Sequence, residues 1–291
     1  MLNKMKKIKL PKVTPKTLSI DDRDIKKSKY TSTELQALKM AYGAPLTYMD
    51  YIKYASAPAI LFGSLMFYLT YNLFWGLAVA AFGVYFGVVI LLPKAIRQTY
   101  IIKSFNERDR FMNLVTQQMS DRTKIPKQVL ERVVSRLEGE LKDDFFPVTA
   151  RIANGATSQE IGEMLTALQN KYAEDVIFSQ FLEQMETNFT TGVDNVSTLQ
   201  DLNEYHMEIK KRRDEFLRFK KKRIRENVQL VVLCYALISA LQFAQGDNSI
   251  YVQSFANSIV GKIVSLIYVG ILIASCNGLQ KAYFDDDIMG A

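Results

Sequence analysis

Residues 54–93 read YASAPAILFGSLMFYLTYNLFWGLAVAAFGVYFGVVILLP, forty positions without an Asp, Glu, Lys or Arg. A helix crossing about 30 Å of hydrocarbon at about 1.5 Å per residue uses about 20 residues, so this run is long enough for two. Asn72 marks the turn between them. One span is expected from about Ala55 to Tyr71 and a second from about Leu73 to Leu92, with Tyr68, Tyr71 and Trp75 reaching interfacial water.

The same logic applies near the C-terminus. From Asn227 to Gln280 the only acidic or basic residues are Asp247 and Lys262. A break at Gly246 to Ser249 gives a third span from about Val228 to Ala244 and a fourth from about Ile259 to Leu279. The chain as a whole has 291 residues, 48% of them hydrophobic, with 37 Lys and Arg against 30 Asp and Glu. Those averages suit a mildly basic soluble protein, but they conceal an alternation of lipid-compatible and water-compatible blocks, which excludes a single soluble core.

Orientation follows from the basic residues at the span ends. Lys53, Lys94, Arg97, Lys103, the run from Lys220 to Arg225 and Lys281 all flank one side. The Tyr71–Asn72 turn and the loop 246–258 carry no Lys or Arg. The positive-inside rule then puts both termini and the long central segment in the cytoplasm. Lys262, four residues into its helix, is expected to snorkel outward toward Asp247. The basic start of the chain is followed by no apolar run of signal-peptide length, so a cleavable secretory signal is not expected.

Residues 1–53 hold 12 Lys and Arg against 5 Asp and Glu and read as a basic arm attracted to anionic lipid headgroups. A capping box at Thr31 and Glu34 opens a short helix to about Tyr42, and an interfacial helix follows Pro45. Residues 94–226 read as helical throughout. Apolar residues recur at three and four: Ile101, Phe105, Phe111, Val115 and Met119, then Val129, Val133 and Leu137, then Ile161, Leu165, Leu168 and Tyr172, then Ile177, Phe181, Met185 and Phe189. Thr157 and Glu160 form a capping box after Gly155, Gly192 closes a helix, and Ser197 with Gln200 opens the last one. That last helix meets no breaker up to Gln245, about 70 Å at 1.5 Å per residue, and the second span is expected to continue past Pro93 through Phe105.

The expected fold is therefore all-α: a polytopic membrane protein with four transmembrane helices in two hairpins flanking a cytoplasmic antiparallel bundle of five or six helices. Its parts are a basic arm with interfacial helix (1–53), spans one and two (54–93), the bundle (94–226), spans three and four (227–280) and a cytoplasmic tail (281–291).

Sites for chemistry are scarce. The chain lacks the glycine-rich loop with Lys and Ser or Thr that cradles nucleotide phosphates. Cys234 and Cys276 sit alone in apolar stretches, which disfavours a disulfide framework or a zinc module. His206, the one histidine, reads as a partly exposed helix residue near Glu204 and Glu208. Glu183 with Glu186, or Asp143 with Asp144, are the acid–base pairs on offer, with no cleft suggested around them. The spans hold no carboxylate, which disfavours ion-coupled transport. No catalysis, cofactor or metal is expected.

Two patterns remain. Lys210 to Arg225 contains ten basic residues in sixteen positions, directly before a span; it reads as a topology anchor and lipid-headgroup contact, and nucleic acid is not expected as a partner because stacking residues are few. Small residues recur at helical spacing in the spans, at Gly83 and Gly87 and at Gly270, Ala274 and Gly278, as faces for close helix packing within the chain or between subunits.

A pair of spans, a helical segment of about 130 residues and a second pair resembles the F-type platform proteins of type II secretion and type IV pili, particularly their Tad-type branch. The resemblance extends to the segments beginning at Phe111, Ile152 and Phe181, with their helix, glycine turn, helix rhythm, and covers about residues 55–285. It implies a membrane platform under a pilus or pseudopilus, contacted by a separate cytoplasmic secretion ATPase and by pilin or pseudopilin, in a homo- or hetero-oligomer with other platform subunits. Conjugation machinery is a related setting. Arg108, Arg110, Arg132 and Arg136 are the candidate partner contacts on the bundle, and Gly83, Gly87, Gly270 and Ala274 the candidate packing positions. A transporter or channel component, or a membrane scaffold without an export role, is the alternative.

Overall fold

A computed structural model describes residues 31–121, 125–244 and 248–284. The basic arm up to Tyr30, the tail from Asp285, and Asp247 with the break around Gly246 lie outside the described residues. Within them the chain is helical and contains no strand. Four helices are long and apolar enough to cross a membrane.

Helix α1 (Ser32–Ala41) opens with the expected capping box, Glu34 accepting from the Thr31 N–H at 2.8 Å. Helix α2 (Tyr48–Thr70) begins with Thr47 capped by Asp50, which also pairs with Lys39 of α1. The interfacial helix and the first span are thus one element. It stops at Tyr71, whose φ of 46° is left-handed, and Asn72 then caps the next helix by accepting from the Phe74 N–H at 3.0 Å. The turn falls at Asn72, as the sequence reading expected.

Helix α3 (Leu73–Met119) is 47 residues long and carries the second span into the bundle without a break. Its one irregularity is a wide π turn over Phe86–Leu91. Pro93 lacks an N–H and crowds the carbonyl four residues back, and the wide turn accommodates it: the Leu92 N–H reaches Gly87 O instead.

The bundle continues with α4 (Pro126–Val134), α5 (Gly139–Ala153), α6 (Ser158–Lys171) and α7 (Val176–Thr191). Gly155 (φ 79°) and Gly192 (φ 68°) make the left-handed turns that reverse the chain after α5 and α7. Helix α8 (Val196–Ala244) then runs 49 residues through the bundle and the third span. It starts one residue before Ser197, and Gln200 donates to Ser120 Oγ at 3.0 Å rather than capping its own helix.

The bundle core draws on each of these helices. Phe111, Phe145, Phe178 and Phe181 are fully buried, with Phe111 4.6 Å from Phe145 and 5.8 Å from Phe178, ring centre to ring centre. Val115, Leu130, Val133, Leu141, Ile161, Leu165 and Leu199 complete it. Ile177 stays partly exposed at the core margin, whereas the other bundle positions spaced at three and four from Phe111 onward are buried.

The loop after α8 is itself helical: α9 (Asn248–Tyr251) runs into a second π turn (Val252–Ala256) before α10 (Ile259–Phe284). Tyr251 is buried there, and its hydroxyl donates to Leu69 O at 3.0 Å, pinning the loop on the end of α2.

Helix α2 is the centre of the spans. Against α3 it forms a tight hairpin: a β-carbon on Gly83 would lie 2.8 Å from Ala59 Cα, and one on Gly87 would overlap the Tyr54 carbonyl. Against α8 it forms a polar ladder over three successive turns, Ser64 with Tyr235 (2.8 Å), Tyr68 with Ser239 (2.7 Å) and the Tyr71 hydroxyl donating to Gln242 (3.3 Å). Gly270 and Gly278 meet no atom within 4 Å, and Ala274 beside them is exposed. Gly83 and Gly87 therefore sit in a close approach inside the chain, while a β-carbon on Gly270 would enter open space and Ala274 is exposed.

Gly87→Leu should lower the melting temperature of the detergent-purified protein by an amount matching the about 1–3 kcal/mol of overpacking. Gly270→Leu should stay within about 0.5 kcal/mol of wild type. Equal effects would contradict the α2–α3 seam.

Candidate functional site at the junction of the two long helices

Helices α3 and α8 run antiparallel where they leave the bundle core. Their contacts proceed from Ser120 with Gln200, through Asn113 with Asn203 (3.0 Å), to Asn106 with Arg213 (3.0 Å). Midway lies Asp109, its side chain 5% exposed. One carboxylate oxygen meets His206 Nδ1 at 3.3 Å and the other Lys210 Nζ at 2.6 Å. An ionised carboxylate only accepts, so Nδ1 of His206 carries the proton in this contact. Phe105 is stacked on the same assembly, 4.5 Å from the His206 ring and covered on a face by the Arg213 guanidinium, 3.8 Å from its centroid.

Burial pushes the Asp109 carboxyl up, but the hydrogen bonds and charges of His206 and Lys210 outweigh it, and the group lies below the usual carboxylate range. Such a pair adds little net stability over an apolar isostere, yet it specifies which residues face each other. Here it sets the axial register of α8 against α3.

Arg108, the residue before it on α3, turns to a different neighbour. Its Nε lies 2.9 Å from Asp175, its Nη1 donates to Ser104 at 3.2 Å, and its guanidinium stands 5.8 Å from the Tyr172 ring centre. Tyr172 in turn donates to Asp144 at 2.6 Å, and Lys171 bridges Asp144 (2.5 Å) and Glu140 (2.9 Å). Tyr100 of α3 donates to Glu140 at 2.6 Å. Burial disfavours the charge on Lys171, but its two carboxylate partners raise its pKa, while burial drives the Tyr172 phenol well above its ordinary value. One turn of α3 thus carries ion pairs to α7 through Arg108 and to α8 through Asp109.

These contacts correct several sequence expectations. Arg108 is buried in the fold and is not a surface for a partner. Arg110 keeps 44% side-chain exposure beside Glu107 and Glu138, and Arg132 and Arg136 are exposed. His206 is fully buried rather than partly exposed, because Phe105 and Asp109 of α3, rather than its neighbours Glu204 and Glu208, supply its surroundings. Asp144 is held by Lys171 and Tyr172, and Asp143 and Glu183 are exposed. Among the described residues no three His, Cys, Asp or Glu converge as a metal site. A spacing signal for the junction does exist: Leu199, Asn203, His206, Lys210 and Arg213 share one helical face, and so do Phe105, Asp109, Asn113, Thr116 and Ser120.

Fold and junction define an all-helical protein with four helices suited to crossing a membrane, two of which continue into a packed helical bundle and are pinned together there. The chain belongs to the same family as the uncharacterized protein pXO2-23 of Bacillus anthracis, with which it is 32% identical over 265 residues, 91% of this chain and 95% of that one. No protein-family model matches the chain, and no solved structure matches it.

Asp109→Ala, which leaves the buried His206 and the one-third exposed Lys210 without their carboxylate, should destabilise the protein by about 1–3 kcal/mol at neutral pH. Because the folded pKa lies below the unfolded value of about 3.9, this stabilisation is complete above that value and is lost as pH falls through the folded pKa. Melting curves of wild type and variant should therefore converge in strong acid. Arg108→Gln should also destabilise measurably, whereas Arg132→Gln and Arg136→Gln should each stay within about 0.5 kcal/mol.

Proposed function

We propose that this protein is a platform subunit of a type II secretion, Tad-type pilus or related conjugation machine, placed in the cytoplasmic membrane with the bundle and both termini in the cytoplasm. In this reading it performs no catalysis. A separate secretion ATPase supplies the work, the bundle receives it, and the spans hand it to pilin or pseudopilin. The observation that carries the reading is the pair of unbroken helices, 47 and 49 residues long, joined by the Asp109 junction. A displacement of the bundle is transmitted along them into the second and third spans, because a continuous helix is stiff over this length and the junction removes sliding of one past the other.

The basic residues flanking the bundle-side ends of the spans support the cytoplasmic placement. Arg110, Arg132 and Arg136 are the surface cations offered to the ATPase, and the open Gly270 and Ala274 face is the one offered to another subunit. A transporter reading gains little from the spans, where Ser64, Tyr68 and Tyr71 are engaged by α8.

Photo-crosslinking from positions 132 and 136 in native membranes should recover a secretion-type ATPase. Glu163→Cys, on an exposed bundle position in a background without Cys234 and Cys276, should react with an impermeant maleimide only after the cells are opened. Labelling in intact cells would overturn the orientation and the platform reading with it, as would substrate flux catalysed by the purified protein alone in liposomes.

A further inference from the structure

Where α8 enters its apolar stretch it forms, with the end of α10, a groove of about 340 Å³. Its polar wall carries Lys220, Lys222 and Arg223, and its apolar wall Phe216, Phe219 and Leu279. Glu226 also lines it and lies 3.9 Å from Lys222. Lys220 is held in place: its ammonium donates to Tyr283 O at 3.0 Å and sits 4.6 Å from the Phe216 ring centre.

The depth of the groove matters as much as its charge. The charge-free part of α8 begins after Glu226, and the corresponding part of α10 extends through Leu279. The groove therefore straddles the level at which phosphate groups of the bundle-facing leaflet meet acyl chains. We propose that it is a binding site for one anionic phospholipid, whose phosphate is held by Lys220, Lys222 and Arg223 and whose first methylenes lie on Phe216, Phe219 and Leu279. Basic pockets between helices at this level suit such headgroups. A free phosphate ion has the same charge but gains nothing from the apolar wall, so a lipid is the occupant that uses both walls. This inference does not rest on the platform reading and survives its failure.

The test uses the full-length protein in detergent, where no bilayer surface attracts ions diffusely, titrated with phosphatidylglycerol or phosphatidylcholine and read by native mass spectrometry. Wild type should retain phosphatidylglycerol as a single tight adduct, at least about tenfold more firmly than phosphatidylcholine. The triple variant Lys220→Gln, Lys222→Gln, Arg223→Gln should lose about tenfold or more in affinity, and the triple Arg218→Gln, Lys221→Gln, Arg225→Gln, with equal charge loss on the same helix outside the groove lining, less than about threefold. Leu279→Trp, which fills the groove and leaves its charge intact, should weaken binding as much as the first triple. Equal losses in the two triples, displacement of the lipid by millimolar inorganic phosphate, or unaltered binding by Leu279→Trp would each overturn the proposal. Helix content and monodispersity, measured on every variant, separate a lost site from a lost fold.

Discussion

A carboxylate taken out of water has to be met by donors at fixed positions, and Asp109 is met by two from a single helix, His206 and Lys210. Because the donors lie one turn apart on α8, shifting that helix along α3 would break at least one of the contacts. The remaining junction follows from this: Phe105 between His206 and Arg213, and the amide pair of Asn113 and Asn203, keep the same antiparallel register. Since α3 and α8 are continuous, a register chosen in the bundle is also imposed on the second and third spans.

The spans are held by different means. Lipid offers no hydrophobic drive for helices to associate, so close packing and hydrogen bonding take its place. Helix α2 uses one on each side: Gly83 and Gly87 of α3 let its backbone approach, and the Ser64, Tyr68 and Tyr71 ladder engages α8. The two long helices therefore meet twice, directly at Asp109 and through α2 in the apolar part. Helix α1 adds a strap at the level between, with Lys103 of α3 donating to Tyr42 O at 2.8 Å and Tyr42 edge-on to Tyr100.

Much of this architecture is legible in the sequence because it rests on strong, local signals. The absence of charge over residues 54–93, Asn72 as the turn, the Thr157 and Glu160 box and the three-and-four spacing of Phe111, Val115, Ile161 and Phe181 each depend on near neighbours or on burial alone. At the junction the spacing marks two helical faces but not their pairing, for the opposite reason. Asp109, His206 and Lys210 look like members of a solvated helix face until a partner helix 97 to 101 residues away is laid against them. Arg108 misleads in the same way, since an arginine on a helix says nothing about whether Asp175 waits across the bundle. The helical turn in the loop 248–256 was missed because its anchor, the Tyr251 hydroxyl on Leu69 O, is also a contact between distant segments. The continuation of the helix past Pro93 was expected, but the π turn over Phe86–Leu91 that accommodates the proline was not read from the sequence.

The account's central claim is that bundle and membrane are joined by two unbroken helices in fixed register. Hydrogen exchange of the full-length protein in lipid nanodiscs tests it most directly, because a hinge at the membrane surface opens its amides to water. The account predicts that amides over residues 92–109 and 206–228 exchange as slowly as the neighbouring core turns of the same helices. A stretch of fast exchange between residues 214 and 228, or between 92 and 104, would contradict it.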